Sequence, residues 1–279
     1  MRFHSFIFPA LGLTALLTFS AQAKTVELTG TPAAVQAAIH AQMGEGKLDD
    51  IDQTNEDGET TFDVSYTTKS GDDHGFTVAE DGTVLSREVE MAATPAAVQK
   101  TIRARARGWT LEDINLDLVD VDASYEVDVS HNGREKSFTV ADDGTLLNAD
   151  LTLAETPSAV QAAINKKVAD GTLESISEDF DPDGNSFDID ARAADGGLNS
   201  FSVGEDGTLL SVEVSLDKVS PGARKTIEAK IGNGKILRVD KSLVEKKGNV
   251  LPLEVQGRKD GKSFDFSVGP RGRFLGMDD

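Results

Sequence analysis

The stretch whose residue types and spacing come nearest to a known chemistry is Asp179-Phe-Asp181-Pro-Asp183-Gly184-Asn185. An Asp-x-Asp-x-Asp-Gly opening, with Asp190 at the twelfth position, is how a helix-flanked calcium loop begins. Two features oppose that reading. Phe187 and Ile189 already belong to an alternating, strand-like run, and the usual apolar eighth position is Ser186. No helical pattern flanks the stretch, so it reads as an acidic hairpin turn. An acidic envelope protein that binds calcium or other cations is kept as the alternative function.

No other constellation carries catalysis. His40, His74 and His131 are scattered and have no metal-ligand spacing. There is no cysteine, hence no thiol nucleophile, and no serine sits in a nucleophile-elbow glycine pattern. The many carboxylates recur on polar strand positions, which is the pattern of a solvated face rather than of an acid/base pair. The expectation is no enzyme, with no catalytic residues, no cofactor and no metal ligand. The run Arg103-Ala-Arg105-Ala-Arg107 closes a helical pattern, where cations complement the helix dipole. The lone tryptophan, Trp109, reads as a packing residue beside it.

The elements that position these residues recur. Thr31-Pro32…Val35…Ile39, Thr94-Pro95…Val98…Ile102, Thr156-Pro157…Val160…Ile164 and Ser220-Pro221…Ala223…Ile227 repeat with isoleucines 63, 62 and 63 residues apart. A fixed period of this size marks a tandem array. In each cassette the Thr or Ser offers an N-cap oxygen, proline suits the first helical position, and the two apolar residues share a helix face. A glycine and an apolar pair follow, as in Gly108…Leu111-x-x-Ile114. Next come an alternating run, as in Tyr125-Glu-Val127-Asp-Val129, then Phe138-x-Val140, then the turn pair Asp143-Gly144. Period-two runs joined by Asp-Gly or Asn-Gly pairs are antiparallel hairpins. The fold class expected is therefore α+β, with four tandem repeats, each one helix packed on a four-stranded antiparallel sheet.

The string Thr-Pro-Ala-Ala-Val-Gln-Lys-Thr-Ile, with the Gly-x-x-Leu-x-x-Ile, Tyr-Glu-Val, Phe-x-Val and Asp-Gly-x-Leu-Leu that follow, resembles the PepSY-like domains, which are described as similar to the β-lactamase inhibitor protein. The resemblance spans nearly the whole chain after residue 23, in four copies. It implies an inhibitor-like or peptidase-regulating role. The fourth copy departs most, with Ala223 for valine, Pro252 inside a strand run, and Arg271 at the turn aspartate.

Residues 1–23 read as a cleaved signal peptide: Arg2, the apolar run Phe6–Phe19, and the small-residue site Ala21-Gln22-Ala23. The apolar run is short and broken by Pro9, so no membrane span is expected in the mature chain. The compartment expected is periplasmic or extracellular. The domain boundaries expected are 24–90, 91–152, 153–215 and 216–279.

The formal charge of −20 is unevenly spread. Residues 24–215 carry a net −26, and residues 216–279 a net +5. So acidic a chain is unsuited to nucleic acid. By alternation, the sheet face away from the helices carries Asp63, Glu88, Glu126, Asp128, Asp150, Asp188, Asp190 and Glu213. That face is the expected partner-binding surface. The partner expected is a basic extracytoplasmic protein, bound by charge complementarity.

Overall fold

The computed structural model describes residues 24–56, 59–118, 123–181, 184–197, 199–244, 251–259 and 262–278. The expected signal segment, and the turn residues Asp57, Gly58, Asp183, Asp260 and Gly261, lie outside the described residues.

The described chain forms two compact units, residues 24–147 and 148–278. The first contains β1 (Lys24–Thr25), α1 (Ala33–Met43), β2 (Lys47–Glu56), β3 (Glu59–Thr67), β4 (Asp73–Ala79), β5 (Val84–Glu88), α2 (Ala96–Arg105), β6 (Thr110–Asp117), β7 (Ser124–His131) and β8 (Arg134–Ala141). Strand β9 (Leu146–Asp150) straddles the division. The second unit continues with α3 (Ser158–Val168), β10 (Thr172–Asp179), β11 (Ser186–Arg192), β12 (Phe201–Gly204), β13 (Leu209–Glu213), α4 (Pro221–Ile231), β14 (Lys235–Ser242), β15 (Leu253–Lys259), β16 (Lys262–Val268) and β17 (Phe274–Asp278).

The expected fold of four helices, each on its own four-stranded sheet, is corrected. Among the described residues the seventeen strands pair antiparallel, and within each unit the sheet runs on past the expected boundaries. In the first unit β5 pairs with β6, and in the second β9 residues pair with β10 and β13 pairs with β14. Each of these pairings crosses a boundary at which the sheet was expected to end. The physical reason is the open edge: separate four-stranded sheets would each leave two rows of unpaired N–H and C=O groups.

The helices lie on one face of the sheet within each unit, because their buried stripes need apolar strand residues beneath them. Val35 and Ile39 of α1 pack with Ile51, Phe62, Val64, Phe76 and Val78. Val160, Ile164 and Val168 of α3 pack with Ile176, Phe187, Ile189, Phe201 and Val203. Ala223, Ile227 and Ile231 of α4 pack with Val239, Leu253, Val255, Phe266 and Val268.

Two local expectations change. In α1, α2 and α3 the proline itself is the N-cap, and the threonine makes no cap bond. Thr31, Thr94 and Thr156 instead donate backwards to the carbonyls of Leu28, Met91 and Leu153, while Gln36, Gln99 and Gln161 donate to the threonine carbonyls. Only Ser220 caps as expected, accepting from the Ala223 N–H at 3.3 Å. Pro252 precedes its strand rather than lying in it, since β15 begins at Leu253.

The turn glycines behave as the sequence requires. Gly82, Gly144, Gly207 and Gly272 all have φ between 78° and 92°. Each also presses on a helix start: a Cβ on Gly144 would lie 2.8 Å from the Ala97 carbonyl carbon. Thr101 then donates to the Gly144 carbonyl at 2.6 Å, and Thr226 to that of Gly272 at 2.6 Å.

Candidate functional site

The helix-free sheet face is built by alternation, and one-residue bulges correct its phase. In β2, β6, β10 and β14 the register skips Asp49, Glu112, Glu174 and Leu237. A skip also occurs between Ser86 and Val84, and between Ser211 and Leu209. Simple alternation would put Val84 and Leu209 on the helix-free face. The bulges turn both inward, against the cores.

A cross-strand pattern recurs on this face. Asp63 faces Thr77, Glu126 faces Thr139, Asp188 faces Ser202 and Glu254 faces Ser267. The Thr77 hydroxyl donates to Asp63 at 2.6 Å, and Ser202 donates to Asp188. A hydroxyl that donates to a carboxylate shields a negative charge; it is not activated as a nucleophile, because no imidazole takes part.

In the first unit Asp63 stands opposite Asp52, and burial raises its proton affinity. Glu88 accepts the Gly75 N–H at 3.1 Å. Burial raises the Glu88 pKa, and Asp113 adds to the rise while His74 opposes it. The His74 ring lies 3.9 Å from both Glu88 and Glu90 and packs 6.0 Å from Tyr66. It is thus a half-buried strand residue rather than a solvated one. Glu126 faces Asn115, and Asp128 faces Asp113. Trp109 packs 5.5 Å from His131, with the Lys136 ammonium 5.4 Å over its ring.

In the second unit Asp150 faces Ser177, which faces Asp188. Asp190 accepts from Ser175 at 2.8 Å. Glu213 faces Asp240, which faces Glu254. Into this acidic row β14 places Arg238, only 6% exposed, with its Nε 2.5 Å from Asp240. Asp188 and Glu213 also pull on the Arg238 charge. Burial disfavours that charge, yet these carboxylates hold its pKa above the usual arginine value. Burial raises Asp190 and Glu213, with Arg238 partly offsetting the rise in each. Burial pushes Asp240 up to about 6, even against Arg238. Asp179 is pushed up to about 7, by burial first and then by Asp188. Glu213 Oε2 and Asp240 Oδ1 are buried without a hydrogen-bond partner.

Asp63, Glu88, Glu126 and Asp128 therefore share the face of the first unit, and Asp150, Asp188, Asp190 and Glu213 that of the second. The residues missed were Asp179, Arg238 and Asp240. Asp179 was read as part of an acidic hairpin turn and not as a member of the sheet face. Its register partner is Ser186, the eighth position of the calcium-loop pattern, so that pattern is flanked by paired antiparallel strands rather than by helices. Among the described residues no three His, Asp or Glu side chains are grouped to hold a metal ion. Arg238 and Asp240 could have been found by counting outward from Val239, which aligns with Ile114.

No family model matches this chain, and no curated protein matches it. Solved structures do resemble it. A candidate periplasmic protein from Bacteroides eggerthii is 13% identical over 43% of this chain and 87% of that one, with a TM-score of 0.33. A DUF2874 family protein from Bacteroides ovatus is 12% identical over 43% and 86%, at 0.32. A BLIP-like protein from Bacteroides fragilis is 16% identical over 43% and 86%, at 0.30. Likeness at this level assigns neither a family nor an activity. Among the described residues no helix is long and apolar enough to cross a membrane.

Proposed function

We propose that this chain is an extracytoplasmic, non-catalytic binding protein whose helix-free sheet face takes a basic protein ligand in an inhibitor-like manner. The observation that carries the reading is the row around Arg238. One buried cation stands among Asp188, Asp190, Glu213 and Asp240, and burial raises the pKa of Asp190, Glu213 and Asp240. A surface that already holds carboxylates against their preference to be solvated gains by accepting further positive charge. The first unit adds Glu88, Glu126 and Asp128 on the same face, and burial raises the Glu88 pKa as well. Secretion rests on the signal-like segment ending at Ala23.

The test is capture from extracytoplasmic extract by the immobilised secreted chain. The comparison is a folded variant carrying Glu126→Gln, Asp128→Asn, Asp188→Asn and Asp190→Asn. The expected result is one stoichiometric basic partner, released by salt and lost in the variant. Undiminished capture by the variant would remove the sheet face as the site. Stabilisation by calcium, with no protein captured, would favour the cation-binding alternative.

A further inference from the structure

Three strand junctions in the sheet share one register. Ser86, Arg87 and Glu88 face Asp117, Leu116 and Asn115. Asn148, Ala149 and Asp150 face Asp179, Glu178 and Ser177. Ser211, Val212 and Glu213 face Ser242, Lys241 and Asp240. Each junction ends on the same backbone bond. Val89 donates to the Ile114 carbonyl at 2.8 Å, Leu151 to that of Ile176 at 2.9 Å, and Val214 to that of Val239 at 2.9 Å.

Strand β2 corresponds in sequence to β6, β10 and β14, and its outer edge carries this junction in miniature. Lys24 and Thr25 face Gln53 and Asp52, and Val26 donates to the Ile51 carbonyl at 2.9 Å. Two residues of β1 thus stand where the other junctions have a whole strand. Strand β17 is the counterpart of β5, β9 and β13. Gly276 faces Ser267 as Ser211 faces Ser202, with the same one-residue bulge before it. Strand β17 pairs with β16, and among the described residues no register joins its other edge to a strand. It leaves Met277 51% exposed, whereas Ala149, at its place in β9, is buried; Leu275 is 40% exposed, much as Leu147 is at its place in β9. An open apolar edge strand is a template for another strand, and soluble proteins seldom leave one uncovered.

We infer that β17 is a docking edge for a second copy of this chain. The β2 strand of that copy adds to it in the junction register, with Met277 facing Gln53 and Gly276 facing Thr54, in place of the short β1. The register sets Asp278 against Asp52, a like-charge pair, while the wider charge distribution favours this occupant. Residues 216–279, which include β17, carry a net +5, and residues 24–215, which include β2, a net −26. Such an assembly is heterologous, so it grows beyond the dimer as concentration rises. Main-chain bonds supply the attraction and the exposed Met277 supplies burial.

The chain contains no cysteine, so single-cysteine variants report contacts without background. Met277→Cys and Gln53→Cys forms of the full secreted chain are mixed in equal amounts under mild oxidation. The expected result is a mixed disulfide dimer, several-fold above the yield from Met277→Cys mixed with Glu45→Cys, and falling with added salt. In parallel, sedimentation velocity should show larger species growing with concentration for the unmodified chain. These species should be absent from the Leu275→Lys/Met277→Lys variant, whose circular dichroism is checked. A mixed yield no higher than the control overturns the inference, and the cysteine pair decides this even if the lysine variant fails to fold. A sole product joining Met277→Cys to itself overturns it too, since that means a symmetric β17 contact. A chain that stays monomeric to about 1 mM, far above the range of specific protein association, also overturns it.

Discussion

Asp113 in β6 and Arg238 in β14 occupy corresponding places, each one residue before the apolar residue that anchors its strand, Ile114 or Val239. The consequences differ. Asp113 adds negative charge beside Glu88 and raises its pKa. Arg238 is buried against Asp240 and also faces the pull of Asp188 and Glu213. The cores under both places are alike, with Val127 and Phe138 buried in one unit and Val255 and Phe266 in the other. The lesson is that an antiparallel scaffold can keep its packed side constant while one strand position sets the electrostatic character of the other side.

The largest test asks whether the cores are as alike as they look. Phe138→Ala and Phe201→Ala remove equivalent buried rings in the first and second units. Each should cost about 3–5 kcal/mol in urea unfolding. A large difference between them would break the comparison at its packed side.

The next test concerns the two faces. Arg238→Ala leaves Asp240 and Glu213 buried without their cation, and should cost about 3 kcal/mol at pH 8. Asp113→Asn removes a like charge beside Glu88 and should change stability by less than about 0.5 kcal/mol, on the stabilising side. Equal effects would mean that the sign at this position does not matter.

A pH series sharpens the contrast. Asp179 and Asp240 hold protons in the folded chain up to about 7 and about 6, while 3.8 is their ordinary value. Between these limits the folded state binds more protons than the unfolded one, so stability falls as pH rises. The melting temperature should therefore be lower at pH 8 than at pH 5. Asp179→Asn should remove a large part of that drop. A melting temperature that rises over this range would refute the assignment.

The smallest expected effect is local. Helices α1 and α4 end on Gly44 and Gly232, but α3 ends on Ala169 at φ 47°. This region suits glycine, and Ala169→Gly should stabilise the second unit by about 1 kcal/mol. The same thermal unfolding measurement checks it.

Much of the packed side was legible in the sequence. The Val98/Ile102 spacing and the Tyr125–Val129 alternation place helix and strand correctly, because burial imposes their periods. Strand partners across the junctions were not legible, since pairing of β5 with β6 depends on edges that no period encodes. The bulges at Leu85 and Leu210 were also invisible, and they reverse the facing of Val84 and Leu209. Eight outward carboxylates could be read by alternation. Arg238 and Asp240 were missed because the basic fourth cassette was set apart by its charge, although its strand phase was already fixed by Val239.

The contact between each Asp-Gly-type turn and a helix start bears on folding kinetics. Gly82 meets Ala34, Gly144 meets Ala97, Gly207 meets Ala159 and Gly272 meets Gly222, each pair separated by nearly a full cassette. Full docking of each helix start therefore includes a contact with a hairpin that lies far from it in sequence. Loop-closure entropy must be overcome before that contact rewards it, which favours slow, all-or-none closure of each cassette over gradual growth from its helix. Substituting Gly144 by alanine should then act chiefly on the refolding rate if the turn–helix contact belongs to the rate-limiting nucleus, and chiefly on the unfolding rate if it forms later.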